Sequence, residues 1–166
     1  MAERFKVRVT KDHLVFCSGH FISYEGDKCE RLHGHNYRAT VEIEGELDEN
    51  QYVFDFIALK NRTKAIVDEL DHRMMLATLN PHIEVEQRAE QIHVRYRERQ
   101  WLFPREDCVL LPIENTTAEL LARYVAQRLL NDLRRTHDYE PQILRVEIEE
   151  NIGQSATCEL RSAKLS

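Results

Sequence analysis

The sequence predicts an α+β domain, on three observations: strand-period alternation near both ends of the chain, two helix-period stretches that open on capping residues, and a β-β-α, insertion, α-β order. Adjacent strands in that order pair most simply as antiparallel neighbours. Phe5, Val7 and Val9 alternate with Lys6, Arg8 and Thr10, and His13 to Phe21 is again β-rich, so two early strands are expected. A clear strand runs from Asn36 to Glu44, with Tyr37, Ala39, Val41 and Ile43 on one face and charged or polar residues on the other. Asp55 can N-cap a helix reaching about Leu70, with Phe56, Leu59, Thr63, Ile66, Val67 and Leu70 at helical spacing. Thr116 and Glu119 in "TTAE" form a capping box for a second helix, whose stripe is Leu120, Leu121, Tyr124, Val125, Leu129 and Leu133. A last strand, Ile143 to Glu150, alternates Leu144, Val146 and Ile148 against Arg145, Glu147 and Glu149.

Between the helices, Asn80 to Glu114 reads as an inserted hairpin-like segment, because Ile92, Val94 and Tyr96 alternate with His93, Arg95 and Arg97 until Pro104 breaks the run. Residues 1–166 are otherwise expected to form a single domain, a length that suits one hydrophobic core. The net charge of −6 gives no basic footprint for nucleic acid, so no nucleic-acid partner is expected. No apolar run is long enough to span a membrane and the first residues lack a signal-peptide pattern, so the expected location is cytoplasmic. In that compartment Cys17, Cys29, Cys108 and Cys158 are expected to be thiols.

The chemistry concentrates in "CERLHGHNY", Cys29 to Tyr37. His33 and His35 share the parity of the inward strand face, which places two imidazoles side by side. His20, at the end of the preceding strand, is the natural third ligand if the two strands pair antiparallel, and three protein ligands with one open position describe a catalytic zinc site. Cys29 has three readings: a fourth ligand, a base whose pKa is lowered by a nearby cation, or a buried thiol. Of these the base is favoured, since a closed site leaves no room for substrate. Asp71 and His72 form a carboxylate and imidazole pair suited to proton relay, or simply end a helix with a favourable cation. Glu150 falls on the apolar strand face, where a carboxylate needs a partner such as the N–H edge of a guanidine-like ligand, unless it turns to solvent. Trp101, Leu102 and Phe103 read as core or interface.

Taken together, His20 in "FCSGHF" with "CERLHGHNY", "VFDFIALK", "LDHRMML", "NTTAELLA" and "VEIEEN" resembles the family of 6-pyruvoyltetrahydropterin and 6-carboxytetrahydropterin synthases, with the pieces in family order over most of the chain. Asn151 stands where threonine is usual, Cys158 where tyrosine is frequent, and the 80–114 segment is longer than the compact family core. The resemblance implies the tunnelling fold: an antiparallel four-stranded sheet with two helices on one face, assembled as a homo-hexamer of two trimers with sites between subunits. It further implies zinc on His20, His33 and His35, Cys29 as proton acceptor, Asp71 and His72 as proton shuttles, and Glu150 anchoring a pterin ring. Thr117 and Glu119 match the motif lining the pterin pocket, although the capping box accounts for them too. Arg31 is a candidate triphosphate contact, since guanidinium suits phosphate. Three residues separate the cysteine from HGH, as in members resembling the queuosine-pathway enzyme, which act on 7,8-dihydroneopterin triphosphate. The rival expectations are a 6-pyruvoyltetrahydropterin synthase, a non-catalytic zinc or pterin-binding module, and a structural zinc protein.

Overall fold

The computed structural model describes residues 3–163, without the Lys11 side chain. Its main sheet is mixed and six-stranded, in the order β11-β10-β4-β1-β5-β9. These are β1 (Phe5–His20), β4 (His33–Gly45), β5 (Arg73–Ala77), β9 (Cys108–Leu111), β10 (Ile143–Asn151) and β11 (Gln154–Arg161). The expected four-stranded antiparallel sheet is thus the β11-β10-β4-β1 part of a larger one, because β5 and β9 add to it in parallel. The α+β class and the two helices, α1 (Phe56–Val67) and α2 (Ala118–His137), stand. A two-stranded ribbon, β2 (Ser23–Tyr24) with β3 (Lys28–Cys29), links β1 to β4.

The two early strands are one. β1 is continuous from Phe5 to His20, but its pairing with β4 slips: Thr10 faces Thr40 and Val15 faces Arg38, so β1 advances five residues while β4 retreats two. An odd excess reverses which side chains face inward. Val7 and Val9 are buried before the slip, and Leu14, Phe16, Ser18 and His20 after it. β4 keeps one parity throughout, burying Tyr37, Ala39, Val41 and Ile43.

Both helices share one core with these inward residues. Asp55 caps α1 by accepting from the Ala58 N–H at 2.6 Å. The helix stops at Val67 rather than near Leu70, and Phe56 is exposed, so the stripe that reaches the core is Leu59, Thr63, Ile66 and Val67. α2 buries Leu121, Ala122, Val125, Ala126, Leu129 and Leu133. Its N-cap is Thr117, whose hydroxyl accepts from the Leu120 N–H, one residue later than the expected Thr116. Glu119 therefore sits in the first turn, where a carboxylate suits the helix dipole, but it closes no capping box.

Segment 80–114 is more than a hairpin. β6 (Glu84–Arg88), β7 (Gln91–Tyr96) and β8 (Arg99–Pro104) form an antiparallel three-stranded sheet, and the chain then supplies β9 to the main sheet. Ile92, Val94 and Tyr96 pack with Met74, Leu76 and Phe21 in a second core, with Trp101 and Phe103 against it. β5 is thus buried on both faces, Met75 and Ala77 toward the helices and Met74 and Leu76 toward the inserted sheet. A strand covered on both sides reads as a continuous apolar run, which is why "RMMLA" shows no alternation.

Leu14→Ala at the start of the re-phased segment should cost about 2–5 kcal/mol in urea unfolding, since Leu14 is fully buried. Ile152→Ser, at a 95% exposed hairpin tip, should change stability by less than about 0.5 kcal/mol.

Candidate metal and pterin site

The register places His20 directly opposite His33, and His35 opposite Ser18, all on one face of the β1-β4 pair. The HGH spacing depends on Gly34: a Cβ there would lie 3.0 Å from the Ser18 carbonyl oxygen, so a side chain would force β1 and β4 apart. The three rings converge, with centroids 4.6 Å (His20 to His33), 5.3 Å (His20 to His35) and 4.9 Å (His33 to His35) apart. One nitrogen from each can be chosen so that all lie within 4.8 Å of one another.

Hydrogen bonds at the far ring nitrogens select the tautomers. His20 Nδ1 lies 3.0 Å from the Thr116 carbonyl oxygen, and His33 Nδ1 lies 2.8 Å from that of Arg31. A carbonyl can only accept, so each Nδ1 carries the proton and each Nε2 presents a lone pair. Burial drives the His20 pKa down, which the Thr116 contact and Glu150 only partly oppose, so the ring is neutral as a ligand requires. His20 Nε2 is buried without a hydrogen-bond partner. The Glu150 Oε1 approaches it at 3.5 Å and His35 Nε2 at 4.0 Å, but a carboxylate facing a nitrogen lone pair makes no bond. A divalent cation held among the three rings would satisfy both, and the all-imidazole donor set fits zinc.

Around the cluster lies a cavity of about 400 Å³ whose walls include His20, His33, Glu30, Thr117, Glu119 and Glu150. Tyr37 is fully buried and donates to Glu150 at 3.3 Å. Burial, then Glu150, pushes its phenol far up, so it remains a donor. Thr117 and Glu119 reach the wall because α2 begins there, and that start is tied to the site: Asn115 donates to the Ser23 carbonyl at 2.7 Å.

The remaining expected residues lie elsewhere. Cys29 is half-buried, its thiol 3.4 Å from the Glu30 carbonyl, and is absent from both the metal-donor cluster and the cavity wall. Burial raises its pKa, against the expectation of a lowered one, with Arg99 pulling the other way. Arg31 is exposed and outside the cavity wall; its structural link to the site is its backbone carbonyl. Asp71 and His72 do touch, at 2.9 Å, in the turn after α1, also outside that wall. His72 has a φ of 55° and its backbone N–H donates to the Cys17 carbonyl, while Asp71 accepts from the Cys17 N–H at 2.7 Å. Burial would raise the Asp71 carboxyl, but the Cys17 and His72 hydrogen bonds outweigh it and hold the pKa below the usual range.

Sequence reading missed Thr116, Tyr37 and Glu30 as parts of the site. Tyr37 was detectable, since its strand parity matches the histidines; the other two act through loop geometry that no local pattern encodes.

Comparison with known proteins shows the family. A sequence model of the family described as 6-pyruvoyl tetrahydropterin synthase matches residues 8–161. A protein of Methanocaldococcus jannaschii named for 6-carboxy-5,6,7,8-tetrahydropterin synthase is 35% identical over 144 residues, 86% of this chain and 88% of its own. The Aquifex aeolicus 6-carboxy-5,6,7,8-tetrahydropterin synthase is 32% identical over 121 residues, 70% of this chain and 67% of its own. The structure of Plasmodium falciparum 6-pyruvoyl tetrahydropterin synthase superimposes with a TM-score of 0.89 at 26% identity, covering 97% of this chain and all of that one. The chain belongs to the 6-pyruvoyl tetrahydropterin synthase family, a family of lyases acting on pterins.

Zinc should bind at one ion per chain, and at a hundredfold excess over its dissociation constant should add about 2.7 kcal/mol of stability, read as a shift in thermal midpoint. His33→Ala should remove the ion and the shift while the metal-free protein keeps its fold, because His33 is partly exposed.

Proposed function

We propose that the chain is a zinc-dependent 6-carboxy-5,6,7,8-tetrahydropterin synthase, converting 7,8-dihydroneopterin triphosphate and one water to 6-carboxytetrahydropterin, acetaldehyde and triphosphate. The observation that carries this reading is the set of three imidazoles, with one nitrogen from each within 4.8 Å of the others, converging beside the Glu150 carboxylate. The names of the Methanocaldococcus and Aquifex relatives and the three-residue spacing between Cys29 and HGH favour the carboxy product.

His20, His33 and His35 would hold the zinc, which would supply Lewis-acid polarisation of the substrate side-chain hydroxyls and so acidify the neighbouring C–H. Glu150, fixed by Tyr37, accepts two parallel N–H bonds from the pterin ring, and Thr117 and Glu119 line its pocket. Cys29 takes the side-chain proton, and Asp71 with His72 returns protons during redox rearrangement and cleavage. That pair lies outside its own chain's cavity wall; in the homo-hexamer with sites between subunits that the family resemblance implies, it serves a neighbouring copy. The wall carries three carboxylates, Glu30, Glu119 and Glu150, and neither lysine nor arginine. The triphosphate is assigned to Arg31, outside that wall, since guanidinium suits phosphate. Its proposed place of work is the cytoplasm. Among the described residues no helix is long and apolar enough to cross a membrane.

The family description and the Plasmodium structure favour a second reading, 6-pyruvoyltetrahydropterin synthase, which eliminates triphosphate and keeps the three-carbon side chain. Incubating the zinc-loaded protein with 7,8-dihydroneopterin triphosphate should yield acetaldehyde and a carboxylated tetrahydropterin. Triphosphate without acetaldehyde would select the second reading, and no turnover would leave a zinc or pterin-binding module. Cys29→Ala should abolish turnover with zinc retained; loss of zinc would make Cys29 a ligand instead.

A further inference from the structure

The inserted sheet grips the loop that carries Cys29 to His33. Arg99, on β8, donates from Nη1 to the Cys29 carbonyl at 3.0 Å and from Nη2 to the Glu30 carbonyl at 2.8 Å. Its guanidinium carbon lies 4.7 Å from the Trp101 ring centre, and Trp101 stacks on Phe21 at 4.6 Å. Phe21 directly follows His20, so the same platform that orients the guanidinium packs against the end of β1. A second link, Arg97 to Asp27, fastens the inserted sheet to the start of the loop.

The two gripped carbonyls sit within the chain of contacts that shapes the site. The Glu30 N–H donates to the Ile22 carbonyl at 3.0 Å, and the Glu30 carboxylate accepts from the Ile22 N–H at 3.4 Å, which returns the loop to the residues just after His20. The next carbonyl, Arg31, receives the His33 Nδ1–H and so aims His33 Nε2 at the cluster. A planar guanidinium fork holds two successive carbonyls in a fixed geometry, whereas an ammonium offers rotatable donors on a flexible stem and fixes neither.

We propose that Arg99 is a positioning residue, through which the inserted sheet sets the placement of the Cys29 thiol and the Glu30 carboxylate relative to the three histidines. This rests on the pterin synthase reading for its effect on turnover, and on the loop geometry alone for its structural part. Misplacing a reacting group by about 1 Å can cost about a hundredfold in rate.

The test compares wild type, Arg99→Gln and Arg99→Lys, each zinc-loaded, by steady-state turnover of 7,8-dihydroneopterin triphosphate and by amide hydrogen exchange. Arg99→Gln should lower kcat by about 10- to 100-fold, with KM changed less than about threefold, zinc content unchanged, and exchange faster at residues 29–32 but not in α2. Arg99→Lys, which keeps the charge and loses the fork, should recover only part of kcat. Unchanged exchange at 29–32 in Arg99→Gln overturns the proposal whatever the kinetics, as does full kcat with faster exchange. If wild type itself fails to turn over the pterin, the reading of function falls, while the exchange comparison still decides the role of Arg99. Should Arg99→Gln not fold, the Lys variant carries the same two readouts.

Discussion

The slip in β1 decides where His20 points. Before it, β1 presents odd-numbered residues to the helices, and after it even-numbered ones, because the strand takes five steps against two in β4. Without that odd excess the period of two would turn His20 to the opposite face from His33 and His35, and the three imidazoles could not meet. The site is therefore a property of register first and residue type second. The buried Leu14 and Phe16, immediately past the slip, hold the new phase in place.

Once the rings meet, polar contacts behind them fix what they can do. Backbone carbonyls of Thr116 and Arg31 take the Nδ1 protons, so the Nε2 lone pairs face inward before any ion arrives. Thr116 belongs to the approach to α2 and Arg31 to the loop gripped by the inserted sheet. The β1-β4 pair, the approach to α2 and the gripped loop thus converge on one cluster of imidazoles, in which the buried His20 Nε2 faces a carboxylate without a hydrogen-bond partner.

Much of this was legible in the sequence where the signal is periodic. The parity of Tyr37, Ala39, Val41 and Ile43 placed His33 and His35 inward, and the parity of Leu144, Val146 and Ile148 brought Glu150 to the same face. Sequence could not give the slip in β1, since an irregular stretch between two alternating runs looks like a boundary between strands. β5 was hidden because burial on both faces erases alternation, and Thr116 because its neighbour Thr117 caps the helix equally well by type. Arg99 carries no local signal in the sequence, because its partners are backbone carbonyls some 70 positions away.

Zinc K-edge absorption on the metal-loaded protein tests the central claim most directly. The account predicts a first shell of nitrogen and oxygen at about 2.0–2.1 Å, with the outer-shell scattering of three imidazoles and no sulfur. A sulfur neighbour at about 2.3 Å would put Cys29 on the metal, close the open position, and contradict the assignment of Cys29 as base.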